Sequence, residues 1–316
     1  MHELFHAIGV FFGDLADVGW IALGIALFLQ FLRLSARVVA WRTILVASYP
    51  DRRVPFTGVF GSYLAGVGVN SILPARSGDL LKLVLVKRRI ADSSYATLTP
   101  TLVVETLFDT VVAGVIVGWA LTQSVFPSLH ALPDVPAIDW HWPLQHPGTA
   151  TIIALVWVTV IALLIVIGIR RVRDFRQRFR QGFAILRQPR LYLTGVVSWQ
   201  AASWLFRAGA VYFFMRAFHV PATAHNVLLV LAVQSLATLL PFSPGGIGTQ
   251  QGFIVYVFRG TGIPSSALLS FSVGMQIATT VFNVAIGFTA IAVMMRTVRW
   301  RQAIMPEKEQ VYARGP

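Results

Sequence analysis

The chain has 316 residues, of which 56% are hydrophobic and only 12% charged, with a mean hydropathy of +0.68. A soluble globular domain carries about 25% charged residues, so this is a membrane composition, and no room remains for a soluble catalytic domain. The net charge of +13 sits in short clusters beside apolar stretches and forms no basic folded surface, which points to topology and anionic lipid and away from nucleic acid. With no cysteine in the chain, disulfides, thiolate metal sites and cysteine nucleophiles are excluded.

The first apolar stretch has Glu3, Asp14 and Asp17 ahead of it, the wrong flank for a cleaved signal peptide, and is read as a retained span at about 15 to 36. Apolar windows of the roughly 20 residues that cross a ~30 Å hydrocarbon core place further spans at about 95 to 122, 149 to 169, 191 to 214 and 267 to 295. Two other apolar regions are broken near their middles. Residues 56 to 86 contain Asn70, Pro74, Arg76, Gly78 and Asp79, and residues 226 to 258 contain Pro241, Pro244, Gly245, Gly246 and Gly248.

Of the 26 lysines and arginines, 23 lie in three stretches, Arg33 to Arg89, Arg170 to Arg190 and Arg296 to Arg314. If these are the cytoplasmic flanks, the five spans alternate with the N-terminus outside and the C-terminus cytoplasmic in an inner membrane. Each broken segment then begins and ends on one side, as a re-entrant hairpin. Leu73-Pro74-Ala75-Arg76-Ser77-Gly78 and Leu240-Pro241-Phe242-Ser243-Pro244-Gly245 share a Leu-Pro-x-x-x-Gly pattern. The expectation is an all-α polytopic helical bundle forming one membrane domain over residues 1–316, built of inverted repeats. Repeat one covers about 15–122 with hairpin 56–86, a connector span covers 149–169, and repeat two covers about 191–295 with hairpin 226–258. Chance recurrence of Leu-Pro and Gly in a leucine-rich chain is the alternative reading of the shared pattern.

The loop from Pro127 to Pro147 carries tryptophans and prolines suited to an interfacial cap. The stretch 170–190 holds eight arginines against one acid, Asp174, and reads either as an amphipathic helix on anionic lipid or as a loop that only sets orientation. The seven histidines match no zinc spacing, and no nucleotide loop, nucleophile elbow or dinucleotide fingerprint is present, so no metal and no cofactor are expected.

Backbone freed by a break at membrane depth needs protein or a wet cavity around it, and amides at a half-helix N-terminus favour anions. At the first break this places Asn70, Pro74, Gly78 and Asp79 with the cations Arg76 and Lys82 as candidate substrate contacts. At the second, Pro241, Ser243, Pro244, Gly245, Gly246 and Gly248 offer backbone and neutral polar groups, with Gln250 beside them. Simple turn-making explains the same prolines and glycines and does not exclude binding. Glu105 and Asp109, four apart, share a helix face, and they either pair with Arg76, Arg37 or Arg42 or relay protons. Arg207, mid-span without an acid nearby in sequence, needs a partner from another helix or a ligand anion.

The run Asn70-Ser71-Ile72-Leu73-Pro74-Ala75-Arg76-Ser77-Gly78-Asp79, then Glu105 and Asp109, then Pro241-Phe242-Ser243-Pro244-Gly245-Gly246-Ile247-Gly248, resembles the lysylphosphatidylglycerol synthase transmembrane family over nearly the whole chain. These flippase-like proteins include the membrane half of the bacterial multiple-peptide-resistance factor. The resemblance implies movement of a lipid with a polar head group between leaflets. In relatives the cargo is aminoacylated phosphatidylglycerol, and other members are linked to hopanoid or glycolipid export. Against the family pattern, Thr106 stands where many members have arginine, Gln250 and Gln251 where an acid commonly follows the second motif, and Gln276 where the last helix often has arginine. These departures argue against carrying the aminoacyl-lipid substrate over directly.

The expected function is thus a flippase for a lipid with an anionic or zwitterionic head group, not an enzyme. Arg37, Arg42, Glu105, Asp109, Gln250 and Gln276 are its coupling or ion-pair residues. The alternative is a non-transporting subunit presenting lipid to a soluble synthase or glycosyltransferase. Expected partners are membrane lipid as substrate, anionic lipid at loop 170–190 and a soluble lipid-modifying enzyme, with no nucleic acid.

Overall fold

The computed structural model describes residues 18–73, 77–123, 173–239, 248–259 and 261–296, and every described element is helical. Helix α1 spans Trp20–Ser48, α2 Phe56–Asn70, α3 Ser77–Lys87, α4 Tyr95–Thr122 and α5 Arg173–Gly182. A 3-10 turn at Ala184–Arg187 leads to the short α6, Pro189–Tyr192, whose first position holds a proline with no N–H to leave unpaired. A π-turn at Leu193–Val197 joins α6 to α7, Ser198–Ala217. The remaining helices are α8 Ala224–Leu239, α9 Thr249–Val257 and α10 Ser265–Arg296.

By length and composition, α1, α4 and α10 each contain an apolar stretch able to cross a membrane. They carry exposed Trp20, Ile21, Val115 and Val281, the pattern of helices facing hydrocarbon rather than water. The region predicted as a span at 191–214 is a nearly continuous helical run from Pro189 to Ala217, though it is not among the three described helices long and apolar enough to cross. The span predicted at 149–169 and the loop before it lie outside the described residues.

One boundary is corrected. The first span does not stop near residue 36 with Arg33 opening a cytoplasmic loop, because α1 continues through Arg33, Arg37 and Arg42 to Ser48. Charge beside an apolar run reads as a flank in sequence, yet Arg33 and Arg37 have polar partners inside the bundle, which keeps that backbone helical. The loop begins only at Tyr49.

Each broken segment contributes two helices in contact, α2 with α3 and α8 with α9, and helix contacts come in matched pairs. Helix α2 packs on α10 as α8 packs on α4. Likewise α1 touches α2 and α4 where α7 touches α8 and α10, and α1 and α7 pack against each other. Two apolar clusters fill the interior. One gathers Ala26, Val211, Phe214, Leu231, Ile254 and Phe271, and the other Leu34, Trp41, Leu64, Leu83, Leu98 and Val196. Along α1 the boundary between them falls between Ala26 and Leu34, where Gln30 and Arg33 lie.

Close helix crossings set this arrangement. At the α2–α10 crossing a Cβ on Gly287 would stand 2.6 Å from the Gly68 Cα, and at the α2–α3 crossing a Cβ on Gly78 would meet the Gly66 carbonyl oxygen. Small residues let backbones meet where lipid supplies no hydrophobic drive between helices. Gly287→Ala is therefore expected to lower the melting temperature in detergent by the equivalent of about 1–3 kcal/mol. Gly114→Ala, where a Cβ meets nothing within 4 Å, is expected to leave it unchanged or raise it.

Candidate functional site

The face of α1 that carries Gln30, Arg33, Arg37 and Trp41 repeats at three and four residues, so these side chains form one stripe. Its lower half meets α2, α3, α4 and α7 in a closed charge cluster. Arg37 donates through Nη1 to Asp109 Oδ2 at 2.5 Å, through Nη2 to Glu105 Oε1 at 3.1 Å and through Nε to the Tyr63 hydroxyl at 2.6 Å. That hydroxyl donates to Glu105 Oε1 at 2.7 Å. The other Glu105 oxygen accepts from Lys82 Nζ at 2.8 Å. Glu105 and Lys82 are 2% and 4% exposed.

The Lys82 ammonium also lies 4.6 Å from the Trp41 ring and 4.3 Å from the Tyr63 ring, an aromatic enclosure that partly replaces water around a cation. Trp204 Nε1 donates to Asp109 Oδ1 at 2.9 Å, and Gln200 Nε2 to the Glu105 carbonyl at 2.7 Å, which ties α7 to α4. Two acids thus face two bases. Of the partners weighed for the acids in sequence, Arg37 is the one found. Arg42 turns away and donates to the Val54 carbonyl at 3.2 Å, and Arg76 lies outside the described residues.

The two hairpin breaks are capped by side chains. Asn70 Oδ1 accepts from the Gly78 N–H at 2.7 Å and Asn70 Nδ2 donates to Asp79 Oδ1 at 3.3 Å, so the end of α2 satisfies the start of α3. Lys82 lies 3.9 Å from the same Asp79. At the second break Gly248, with φ of +88°, precedes α9, and its N–H donates to Gln251 Oε1 at 2.7 Å. Pro74, Pro241, Ser243, Pro244, Gly245 and Gly246 lie outside the described residues.

Midway along α1 and α7 lies a second polar feature, a cavity of about 160 Å³. Arg33, Arg207, Gln30, Gln234, Gln250 and Gln276 line it, drawn from α1, α7, α8, α9 and α10. Arg207 lies over the Trp204 ring at 4.7 Å and donates from Nη2 and Nε to Gln234 Oε1 at 2.9 and 3.3 Å. Arg33 donates from Nη1 to Gln30 Oε1 at 3.1 Å, while its buried Nε has no partner among the described residues. Among the described residues no carboxylate comes within 4.0 Å of Arg33 or Arg207. Gln30 passes the network on to Asn283 at 3.3 Å, and Asn283 to Ser71 at 3.2 Å, linking the cavity to the end of α2 beside the first break.

The sequence reading gave Arg207 to substrate binding and Gln250 and Gln276 to coupling or ion pairing, and the tertiary structure brings all three to one cavity. It did not single out Arg33, Gln30, Gln234 or Asn283 for this cavity, nor Tyr63, Trp41, Gln200 or Trp204 for the charge cluster. The helical spacing of Gln30, Arg33, Arg37 and Trp41 was the available signal. Larger hollows occur at one end of the bundle, where Gln181 of α5 donates to the Ser48 carbonyl at 2.7 Å and Gly182 packs against Thr97. These are open crevices beside α5 and the end of α1, apart from the intramembrane charges.

Apolar helices that hold paired and unpaired charges at mid-span define a polytopic membrane protein with a polar intramembrane site. The profile described as "Lysylphosphatidylglycerol synthase TM region" matches residues 11–287, and the chain belongs to that family. No curated protein and no solved structure matches it.

The two features call for different energetics. A buried charge stripped of its partner is costly, so Lys82→Met and Glu105→Gln are each expected to destabilise the protein by about 3–5 kcal/mol. The double variant is expected to fall well short of the sum. Denaturation midpoints in detergent across the four proteins of the cycle provide the check, and additive losses would mean that the two groups act independently.

Proposed function

We propose that the protein is a lipid flippase, moving a lipid with an anionic or zwitterionic head group between leaflets without chemical change. The observation that carries this reading is the pair Arg33 and Arg207, two cations without an acidic partner among the described residues, in a glutamine-lined cavity at mid-span. A charge in hydrocarbon is rarely idle, and two that lack carboxylates have hydrogen-bonding capacity left for an anion. In this reading the head group occupies the cavity while the acyl chains stay in lipid.

The matched helix contacts support two related halves, α1–α4 and α6–α10, and alternating access by rocking one half on the other. The charge cluster acts as the latch of the first half, holding α1, α2, α3 and α4 together and joining them to α7. Glu105 and Asp109 are the candidates for proton coupling within it. The proposed membrane is the inner membrane, with the N-terminus outside. The basic face that includes exposed Arg178 and Arg180 then meets anionic cytoplasmic lipid.

Purified protein in vesicles with an acyl-labelled phospholipid tests this by the rate at which label reaches the opposite leaflet. Arg33→Gln and Arg207→Gln are each expected to slow movement by about tenfold or more, the worth of one charge-assisted hydrogen bond. Movement no faster than in protein-free vesicles would overturn the reading. A second reading, a subunit that presents lipid to a soluble synthase or glycosyltransferase, is favoured by the exposure of Arg178, Arg180, Arg187 and Arg190 at one end of the bundle. It would be supported if vesicle movement were absent while charge neutralisation there weakened enzyme binding.

A further inference from the structure

The cavity holds two guanidinium groups and four primary amides. Gln30 and Gln250 are 4% and 6% exposed and Gln234 and Gln276 are partly buried, so the amides line the cavity within the bundle. Arg33 brings a buried Nε with no partner among the described residues, a donor left over after the contacts they make. Glu105 and Asp109 of α4, the carboxylates beside the stripe, are already held by Arg37, Lys82, Tyr63 and Trp204. Among the described residues the cavity therefore offers cationic donors and neutral amides, and no carboxylate.

That inventory selects by chemistry. A phosphodiester accepts from the guanidiniums, and hydroxyl groups beyond it both donate to and accept from glutamine amides. An ammonium group finds no carboxylate there and meets two positive charges where little water screens them. Specificity of this kind comes as much from what is refused as from what is bound.

We propose that this cavity is a head-group filter that admits an anionic, hydroxyl-bearing lipid head group and rejects aminoacylated, cationic ones. This rests on the flippase reading for its role in transport, but the binding preference stands separately. The cargo is then a phosphatidylglycerol-like or glycosyl-phosphate lipid, in contrast to the aminoacyl lipid in the family's description. The filter draws residues from helices of both proposed halves, so it forms where the halves meet. Its link through Gln30, Asn283 and Ser71 connects an occupied cavity to the first hairpin break.

The test uses the full chain in vesicles containing acyl-labelled phosphatidylglycerol or acyl-labelled lysylphosphatidylglycerol, and, in detergent, the melting temperature with short-chain forms of each. The expected result is movement of phosphatidylglycerol at least tenfold faster than of the lysyl lipid, and a rise in melting temperature with phosphatidylglycerol alone. Gln276→Glu, which places a carboxylate in the cavity, is expected to narrow or reverse that ratio, while Arg33→Gln removes the phosphatidylglycerol stabilisation.

Equal movement of both lipids would overturn the filter and leave the flippase reading standing. If neither lipid moves, the flippase reading falls, and the melting arm decides the filter alone: stabilisation by phosphatidylglycerol upholds it, and equal or absent stabilisation by the two lipids overturns it. Stabilisation by water-soluble glycerol phosphate equal to that by the lipid would overturn the lipid assignment. Should Gln276→Glu fail to fold, Gln250→Glu introduces the same charge from α9.

Discussion

Glu105 accepts from donors on three other helices, Arg37 of α1, Tyr63 of α2 and Lys82 of α3, while its own backbone carbonyl accepts from Gln200 of α7. In a bundle whose exterior is apolar, a carboxylate at 2% exposure is tolerable only with such a complete set of partners. The requirement runs outward from there. It holds α1 helical through Arg37, packs α3 beside α4, and fixes the face that α7 turns to α4 through Trp204 and Asp109. The first hairpin is held at both ends, by this cluster through Lys82 and by Asn70 at its turn.

Above the cluster on the same α1 stripe, neutralisation stops. Arg33 and Arg207 have glutamines where Arg37 and Lys82 have acids. A glutamine satisfies part of a guanidinium without cancelling its charge, so the cavity keeps a positive potential that the closed cluster lacks. The two features divide the polar interior into a part closed by ion pairs and a part closed, among the described residues, by neutral amides alone. Their position at the junction of two apolar clusters gives the cavity rigid walls of packed side chains on either side.

The first broken segment is accommodated by close backbone contact rather than by large side chains. Gly66 meets Gly78 within the first hairpin, and Gly68 meets Gly287 where that hairpin crosses α10. Such contacts hold two short helices against a long one without a soluble-type core, and they leave Ser71 near enough to Asn283 for a hydrogen bond. The second hairpin packs on α4 as the first packs on α10, so each half is completed by the other.

Membrane residence, the all-helical class and the family were legible in the sequence. A run of apolar residues longer than the hydrocarbon core and a pair of proline-glycine breaks are local patterns, and local patterns survive without knowledge of contacts. Glu105 and Asp109 were legible for the same reason, since charge inside an apolar run stands out in any order of packing. The length of α1 was not, because Arg33 and Arg37 look like a flank until their partners arrive from other helices. Nor was the cavity, whose residues run from Gln30 to Gln276 and whose glutamines carry no charge to betray them. The sequence by itself determined that polar groups lie buried in the bilayer. Only the tertiary structure decided which are neutralised and which remain open, because pairing depends on distances between side chains on different helices, and those follow from how the helices pack.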